Sequence, residues 1–548
     1  MNQNNISQDK TTKRLFLCIC ILIFLFAFVF VIQKDWALIF KKDLHWYDES
    51  VNSVVSANLT RKFWPAMVRV NPLIQQQGWA ENPYWQHIPP LFAYIPLPLF
   101  KIDGQVTIEI KRLAYALTIL LGGFIFILSV SKFEKTIMAT IAATIAAIFW
   151  IMTPFTQNLI TGIDFGASDI VLAFTVSCCF GALCWYLYHP SNMRKNYSWW
   201  KLMLMGLIVT LPILTKNVLG AIPAATFFLL LLFDQKKVNV KLLASVLSFS
   251  ALIFLYFGAL YISSPITFKR EIFVSFQHME NFEGWAKPWY FYLSDYIPRN
   301  YTRYFTPLYV GSILGGLYLL FKNCFAGKTK IILSLSIGWF IWNMVAVSLV
   351  KSKAPNFIFQ SYLLSLFFAV YIPMLLFSKT QFYLGFKNAV ERFNKQTPLL
   401  THRALFFVFI ILLGLSIYSC GYLLAQIPKT RAATYAYNSE HEKFYQFGEI
   451  VQKEAADTND IFVLNSSQDN IWFRYYILFL TGSEARTFQE IRNYNIPVEI
   501  LRKKYSRLYF VVDKSSRLPV VGIPHKVENI GSFQALIFDT KFLNQLGK

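Results

Sequence analysis

A pair of acidic residues, Asp48 and Glu49, stands at the start of a patterned segment near the N-terminus. Apolar residues follow at positions 51, 54, 55 and 59, a spacing that predicts one face of an amphipathic helix along the membrane surface. Carboxylates in a first helical turn can complement the helix dipole and complete a cap. They can also act as a general base or an electrostatic group, because partial burial raises the pKa of a carboxylate. The spacing alone leaves both interpretations open.

A further acidic candidate is Asp169, which follows Asp164 at the start of an apolar block. A carboxylate that faces other helices at membrane depth is a functional candidate. Helix capping explains one of these two aspartates well, but it explains both less well. The sequence therefore makes at least one of these aspartates a functional candidate.

Two lysines lie in short loops that are expected to be poor in basic residues. Lys216 separates two short apolar pieces, and Lys353 lies in the loop Lys351-Ser-Lys-Ala-Pro355. Long lysine side chains can simply place their ammonium groups at the membrane interface. They can also neutralise an anionic head group such as a phosphate. Both interpretations fit the spacing.

Two histidines lie in long loops together with aromatic residues. His87 directly precedes Ile88 and the rigid Pro89-Pro90, and His278 precedes Lys287-Pro-Trp-Tyr290. The simplest interpretation of a single histidine here is an interfacial side chain that bonds to the backbone. Imidazole is also a common ligand of zinc, so a metal site is the alternative.

The composition restricts the kind of protein that carries these residues. Of 548 residues, 55% are hydrophobic and 15% are charged, and the mean hydropathy is +0.41. Soluble domains carry roughly 25% charged residues, so an ordinary soluble enzyme is excluded. The apolar residues form blocks about as long as a bilayer is thick, which excludes disorder, collagen and coiled coil. The formal net charge of +22 falls mostly in short loops, where it indicates topology rather than nucleic-acid binding.

The apolar blocks predict an α-helical polytopic membrane protein with about 11–13 transmembrane helices. The predicted spans are residues 15–32, 113–130, 136–151, 170–188, 202–214, 218–233, 242–262, 308–321, 331–350, 361–377 and 404–425. The first is interpreted as a retained signal anchor, because no small-residue cleavage site follows it. If the N-terminus is cytoplasmic, every cytoplasmic loop is short and basic, and the long loops 33–112 and 263–306 face outward.

The end of the chain differs in composition from the membrane part. Residues 461–465 and 507–512 predict short buried strands, and residues 470–481 predict a helix between them. We therefore expect a transmembrane catalytic domain over residues 1–425 and a small soluble α/β domain over residues 426–548. No Walker phosphate loop and no Gly-x-Gly-x-x-Gly occurs, so no nucleotide cofactor is expected.

Taken in chain order, these residues resemble the GT-C superfamily of polyprenyl-phosphate-dependent glycosyltransferases, particularly the protein O-mannosyltransferase and lipid A aminoarabinose transferase family. The resemblance covers residues 47 to about 362. Its motifs are Asp48-Glu49, His87-Ile-Pro-Pro-Leu91, Lys111-Arg112-Leu113, Asp169-Ile-Val-Leu-Ala-Phe174, Leu214-Thr-Lys216-Asn-Val-Leu-Gly220, His278 with Lys287-Pro-Trp-Tyr290, and Ser352-Lys353-Ala-Pro-Asn-Phe357. The chain departs from aminoarabinose-type members at His87-Ile88, where those carry Glu-Lys, and at Asn217, where those carry glycine.

The resemblance implies that a sugar moves from a polyprenyl-phosphate donor to an extracytoplasmic acceptor, with inversion at the anomeric carbon. The acceptor classes are lipid A, a glycan or a protein hydroxyl. Asp48, with Glu49 beside it, would be the acidic group nearest the acceptor. Asp169 would be the second candidate.

The resemblance also implies which residues bind the donor and a metal. The donor phosphate would meet Lys216, Lys353, Arg61 and Arg270. A divalent metal, Zn or Mg, is a candidate cofactor, and His87 and His278 are its candidate ligands.

Two other kinds of membrane protein share some of these features. A transporter or lipid flippase would also have many spans and intramembrane charges, but the long outward loops and the terminal domain argue against it. A cell-envelope oligosaccharide polymerase or ligase would use a polyprenyl diphosphate instead. The expected location is the bacterial inner membrane as a multi-pass protein, with a cytoplasmic N-terminus and a periplasmic C-terminal domain.

Overall fold

A computed structural model describes most of the chain. The described residues are 3–40, 47–60, 89–162, 167–188, 197–216, 219–225, 240–280, 286–292, 305–353, 355–379, 442–454, 456–457, 459–465, 471–514, 520–521, 523–530, 533–543 and 545–546. The helices of the N-terminal part are α1 Gln3–Ile39, α2 Tyr47–Asn58, α3 Leu91–Tyr94, α4 Leu97–Asp103, α5 Ile108–Glu134, α6 Ile137–Met152, α7 Pro154–Thr161, α8 Ala167–Tyr188, α9 Trp199–Thr210, α10 Val240–Ser263, α11 Pro265–Glu280, α12 Phe305–Phe321, α13 Gly327–Ser348 and α14 Phe359–Lys379. Short 3₁₀ turns at Leu211–Leu214 and Pro355–Ile358 follow α9 and precede α14.

Within the described residues, six helices are long and apolar enough to cross a membrane, and the bent pair α6–α7 raises the number to seven. The six are α1, α5, α8, α10, α13 and α14. α9 with its 3₁₀ turn and α12 are shorter apolar helices. The predicted span 404–425 and most of the predicted span 218–233 lie outside the described residues. Every other predicted span coincides with a helix, so the chain is a polytopic α-helical membrane protein.

The break between α6 and α7 is encoded by Thr153-Pro154. The residue before a proline avoids the helical region, and Thr153 is extended, with φ −64° and ψ 141°. Its hydroxyl caps α7 by accepting a hydrogen bond from the backbone N–H of Thr156. Pro154 then occupies the first turn of α7, where no N–H is needed. The chain bends by 58° there.

α5 lies at the centre of the bundle and defines its two ends. It contacts α1, α6, α7, α8 and α13. The helix begins after the cap residue Thr107 and is followed by the cap residue Lys135. We call the end of the bundle near Thr107 its first end and the end near Lys135 its second end. At its first end lie the starts of α8 and α14 and the whole of α7, and at its second end lie the starts of α6 and α13. The first end holds the candidate functional residues.

α2 confirms the predicted helix but not its predicted position on a surface. Every described residue from 51 to 58 is buried, including the polar Asn52, Ser53, Ser56 and Asn58. Residues 51–58 therefore show no exposed polar face, and a position of α2 along a membrane surface stays a prediction. A helix of the C-terminal domain, residues 471–481, packs against α2.

The C-terminal part is the predicted small α/β domain. Its helices are α15 Glu442–Lys453, α16 Ile471–Thr481, α17 Phe488–Asn493 and α18 Val498–Lys504, and its strands are β1 Asp460–Asn465, β2 Glu484–Thr487, β3 Arg507–Asp513, β4 Val520–Val521, β5 Lys526–Ile530, β6 Phe533–Asp539 and β7 Gln545–Leu546. The main sheet has the order β2-β1-β3-β6-β5, in which β1 pairs in parallel with β2 and β3, and β6 is antiparallel to β3 and β5. Alternate residues of β1 and β3 enter different cores, because successive side chains of a strand point to opposite faces.

α16 joins this domain to the membrane bundle. Ile477 belongs to one core of the sheet, whereas Tyr475, Tyr476, Leu478 and Phe479 belong to the core of the bundle. The helix is thus covered by apolar residues on two sides. This packing fixes the C-terminal domain over α2, at the first end of the bundle.

Candidate active site

Four of the predicted site residues lie outside what the structure describes. Arg61 and His87 fall in the interval 61–88, and Asp48 and His278 lie in helices whose side chains at these positions are not described. Their roles stay predictions. The backbone of Asp48 lies in the first turn of α2, directly before Glu49.

Glu49 is held by a buried arginine at the start of α5. The Glu49 side chain accepts two hydrogen bonds from Arg112, from Nε to Oε1 at 2.7 Å and from Nη2 to Oε2 at 2.9 Å. Both side chains are almost fully buried, with 2% and 4% of their surface exposed. A two-point pair of this kind fixes orientation as well as charge. Breaking such a pair is costly, because the remaining charge stays buried without compensation.

The neighbouring Lys111 binds the same turn of α2. Its Nζ donates to the backbone carbonyl of Glu49 at 2.9 Å and to the Ser53 hydroxyl at 2.6 Å. Arg112 also donates to the carbonyl of Leu38 near the end of α1, at 3.0 Å. Consecutive cations of α5 therefore tie the first turn of α2 to α1 and α5. The sequence offered one signal for this role, a charged pair at the entrance of a span.

Gly162 leaves room for the Glu49 carboxylate. It ends α7 in the left-handed region, with φ +74°, which favours glycine. A Cβ atom at this position would lie 2.0 Å from Oε1 of Glu49. Any larger residue would displace the carboxylate or the end of α7. This glycine was not predicted as a site residue, because only the fold brings it to Glu49.

The structure brings together Asp169 and Lys216, which are 47 residues apart. Lys216 Nζ lies 2.5 Å from Oδ1 of Asp169. Asp169 lies in the first turn of α8 and is 1% exposed, while the Lys216 side chain is 17% exposed. The carboxylate thus lies deep and the ammonium group is partly accessible. An incoming anion would reach the lysine first.

Lys353 lies buried at the end of α13. Its Nζ donates to the carbonyl of Ser348 at 3.1 Å and also to that of Val350. Burial lowers the pKa of the Lys353 ammonium group below its usual range, since a low-dielectric site disfavours the charged form. An anion bound beside it would reverse this effect.

The second long loop meets the Lys353 loop directly. Ala286 forms an isolated antiparallel bridge with Ser352, and the Lys287 N–H donates to the Lys351 carbonyl at 3.4 Å. Two loops that the sequence predicted on the same side of the membrane are therefore paired at the first end of the bundle. Arg270, by contrast, is exposed on α11, and no contact among the described residues joins it to Lys216 or Lys353.

The described residues contain no group of three or more His, Cys, Asp or Glu side chains that could hold a metal ion. The side chains of the predicted ligands His87 and His278 lie outside the described part of the chain. A metal at the site therefore stays a prediction.

These contacts gather two carboxylates and four cations at one end of the bundle. Glu49 and Asp169 are the carboxylates, and Lys111, Arg112, Lys216 and Lys353 are the cations. Fixed cations in a poorly hydrated site stabilise a group that gains negative charge. The arrangement suits departure of a phosphate next to an acidic group.

Solved structures with a similar fold exist for this chain, although no sequence family matches it. No family model and no curated protein matches the chain. The crystal structure of ArnT from Cupriavidus metallidurans in the apo state matches with a TM-score of 0.53 and 14% identity, over 94% of this chain and 98% of that chain. The structure of the same protein bound to undecaprenyl phosphate matches with a TM-score of 0.53 and 14% identity, over 95% and 97% of the two chains.

An archaeal structure gives a similar result. The oligosaccharyltransferase AglB from Archaeoglobus fulgidus, in complex with an inhibitory peptide and a dolichol-phosphate, matches with a TM-score of 0.50 and 14% identity, over 91% of this chain and 69% of that chain. ArnT and AglB both belong to the GT-C superfamily. The membrane bundle with its C-terminal sheet domain therefore has the GT-C fold.

Proposed function

We propose that the chain is an integral membrane glycosyltransferase. It moves a sugar from a polyprenyl-phosphate donor to an acceptor on the extracytoplasmic side, which is a lipid such as lipid A, a glycan or a protein. The observation that carries the proposal is the pairing of Asp169 with Lys216 at the same end of the bundle as the acidic turn of α2. The acidic turn of α2 supplies a carboxylate for the acceptor, and Lys216, held by Asp169, is a partly accessible cation for the leaving phosphate.

The fold supports the class of donor. The structures that resemble this chain were solved with undecaprenyl phosphate in ArnT and with a dolichol-phosphate in AglB. Both ligands are polyprenyl phosphates. We infer that the phosphate of such a donor binds at Lys216, with Lys353 as the second cation, and that its polyprenyl chain stays in the bilayer.

The proposed reaction is a single displacement. The acceptor oxygen attacks the anomeric carbon, the bond from that carbon to the phosphate oxygen breaks, and the phosphate leaves with the bonding electrons. Asp48 takes the proton of a hydroxyl acceptor, or orients a phosphate acceptor. Attack from the face opposite the leaving group inverts the anomeric configuration. Cations held in place before the reaction stabilise the departing phosphate at no reorganisation cost.

Glu49 has a positioning role in this proposal. Its carboxylate is fully engaged by Arg112, and its backbone is held by Lys111. These bonds fix the first turn of α2 and with it the backbone of Asp48. Asp169 similarly holds Lys216 in place until a phosphate arrives.

The test is transfer of radiolabelled sugars from polyprenyl phosphates to membrane acceptors by the purified protein. We expect activity from the wild type and a loss of roughly 10²-fold or more in Asp48→Asn. Asp103→Asn is the matched control, because Asp103 is exposed at the end of α4 on the same end of the bundle. Its activity should equal that of the wild type.

The proposal fails if the wild type consumes no polyprenyl-phosphate sugar. Movement of a substrate across sealed vesicles in the same preparation would then favour a transporter or flippase. Consumption of a polyprenyl diphosphate donor alone would favour an oligosaccharide polymerase or ligase. Thermal unfolding of each variant shows whether a loss of activity reflects loss of the fold.

A further inference from the structure

A groove with one lysine in its lining and further lysines beside its aromatic rings lies at the second end of the bundle, far from the candidate active site. The groove has a volume of about 260 Å³ and lies between α5 and α8. Four residues of α5 line it, among them Lys132 and Phe133, and four residues of α8, among them Trp185 and Tyr188. At 1.5 Å per residue, the 22 positions from Arg112 to Glu134 span about 33 Å, which is close to the thickness of a bilayer core. The groove therefore lies at the opposite membrane face.

The cations converge on one aromatic ring. Lys328 Nζ lies 4.0 Å and Lys135 Nζ lies 4.8 Å from the centre of the Tyr188 ring. Lys132 lines the groove together with the same tyrosine. Lys201 lies 6.0 Å from the centre of the Trp185 ring, which also lines the groove. These lysines come from three separate segments of the chain, so the fold gathers them at the mouth of the groove.

The groove itself is largely apolar and open to the surface of the bundle. Leu128, Ser129 and Trp185 are half-buried on its walls. Gly181 forms part of the lining, and a Cβ atom there would lie 2.6 Å from the Ser129 hydroxyl. The two helices thus approach closely at the glycine. Small residues at a helix contact let the two helices approach closely. The apolar groove between them can hold an acyl chain.

Two further features lie at the end of α5 beside the groove. Lys135 ends α5 in the left-handed region, with φ 60°, a position where glycine is the usual residue. Glu134, the acidic neighbour, is directed to Thr329 and to Tyr371, whose hydroxyl lies 3.4 Å from Oε1. Glu134 offsets the charge of Lys328 in part. The net charge at the mouth stays positive.

We propose that this groove, lined by Lys132, Tyr188 and their neighbours, binds an anionic phospholipid. The phosphate of the head group lies among Lys132, Lys135 and Lys328, and one acyl chain lies along the apolar crease. Basic pockets between transmembrane helices next to an anionic leaflet bind acidic head groups through the same charge complementarity. The aromatic rings of Trp185 and Tyr188 stand at the depth where such residues meet head groups. This site is independent of the proposed transferase reaction.

The experiment is native mass spectrometry of the full-length protein with added phosphatidylglycerol or phosphatidylcholine of equal chain length. The wild type should retain phosphatidylglycerol in clear preference to phosphatidylcholine. The variant Lys132→Gln/Lys135→Gln/Lys328→Gln should retain phosphatidylglycerol at least roughly tenfold less well. The variant Lys241→Gln/Lys322→Gln/Lys330→Gln removes the same charge from the same end of the bundle, at residues that do not line the groove, and should retain phosphatidylglycerol as the wild type does.

Three results of the retention experiment would overturn the proposal. They are equal retention of the two lipids by the wild type, unchanged retention in the groove variant, and equal loss in the two triple variants. The last would mean that net charge attracts the lipid without a site. Thermal unfolding without lipid checks that both variants are folded.

Inorganic phosphate serves as a further probe, and displacement of the lipid by phosphate at equal concentration would also contradict a site that needs the acyl chain.

Discussion

At the scale of single residues, we expect the two partners of the Asp169–Lys216 ion pair to affect the affinity for undecaprenyl phosphate differently. Lys216→Gln removes the cation that is proposed to bind the donor phosphate, so both affinity for undecaprenyl phosphate and sugar transfer should fall, the latter by roughly 10²-fold. Asp169→Asn removes a competing carboxylate but leaves the cation. The affinity of Asp169→Asn for undecaprenyl phosphate should equal or exceed that of the wild type. Its sugar transfer should fall, because Asp169 no longer holds Lys216 in position.

The measurements are direct lipid binding and steady-state transfer. Lys101→Gln is the matched control, since Lys101 is exposed on α4 at the same end of the bundle. Its binding and transfer should not change. Equal loss of undecaprenyl phosphate affinity in Asp169→Asn and Lys216→Gln would show that the pair is needed as a unit for structure rather than for phosphate binding.

Lys353 gives the site a pH dependence whose sign follows from its environment. Burial lowers the pKa of its ammonium group in the free protein, and a bound phosphate would raise that pKa again. Binding therefore takes up a proton at high pH. Affinity for undecaprenyl phosphate should be constant below the pKa of the free protein and fall as pH rises above it, until the pKa of the complex is reached.

Binding titrations across alkaline pH test this expectation, with Lys353→Gln as the comparison. The variant should bind more weakly than the wild type and lose the part of the pH dependence that Lys353 supplies. A wild-type affinity that rises with pH would have the wrong sign for a lysine that binds phosphate.

At the scale of the elements, the contact between α7 and α2 depends on one glycine, and the chain offers an internal control for it. Gly162 and Gly104 both have φ +74°, but a Cβ atom at Gly162 would lie 2.0 Å from the Glu49 carboxylate, whereas nothing lies within 4 Å of one at Gly104. Gly162→Ala should displace Glu49 from Arg112 and lower stability by up to about 3–5 kcal/mol, the cost of breaking a buried pair. Gly104→Ala should show only the cost of the left-handed backbone, about 1–2 kcal/mol.

The difference between the two thermal unfolding midpoints isolates the clash, because the backbone cost is common to both. A second variant, Arg112→Gln, should resemble Gly162→Ala, since it leaves Glu49 buried without its partner. If the two glycine variants unfold at the same temperature, Glu49 can move without cost and does not fix the first turn of α2.

Sequence patterns predicted most elements because bilayer-length apolar blocks and buried strands are local signals. The strand at 461–465 and the helix at 470–481 agree with β1 and α16 to within a residue. The partners of the charged residues were not predictable in this way. Arg112 and Glu49 are 63 residues apart, and only the packing of α2 against α5 and α7 brings them together. The burial of α2 was not predictable for the same reason, since a helix more than 400 residues further along the chain packs on it.

At the scale of the whole molecule, the C-terminal domain is expected to stabilise the acidic turn of α2. α16 packs on α2, and its Tyr475 and Phe479 belong to the core of the membrane bundle. Removal of residues 442–548 would take away the helix that packs on α2, whose residues 51–58 are buried. Local stability depends on such buried contacts, so α2 should open more often in the truncated chain.

Hydrogen–deuterium exchange measures this opening. Peptides that cover residues 47–58 should exchange faster after truncation, and sugar transfer should fall, because the backbone of Asp48 lies in the same helix. Peptides of α10 serve as the reference, since the contacts of that helix are with α9 and α11. Faster exchange in both regions would mean that the whole bundle is destabilised. Unchanged exchange in α2 would mean that α5 and α7 alone hold its first turn, and that the domain acts on the acceptor rather than on the site.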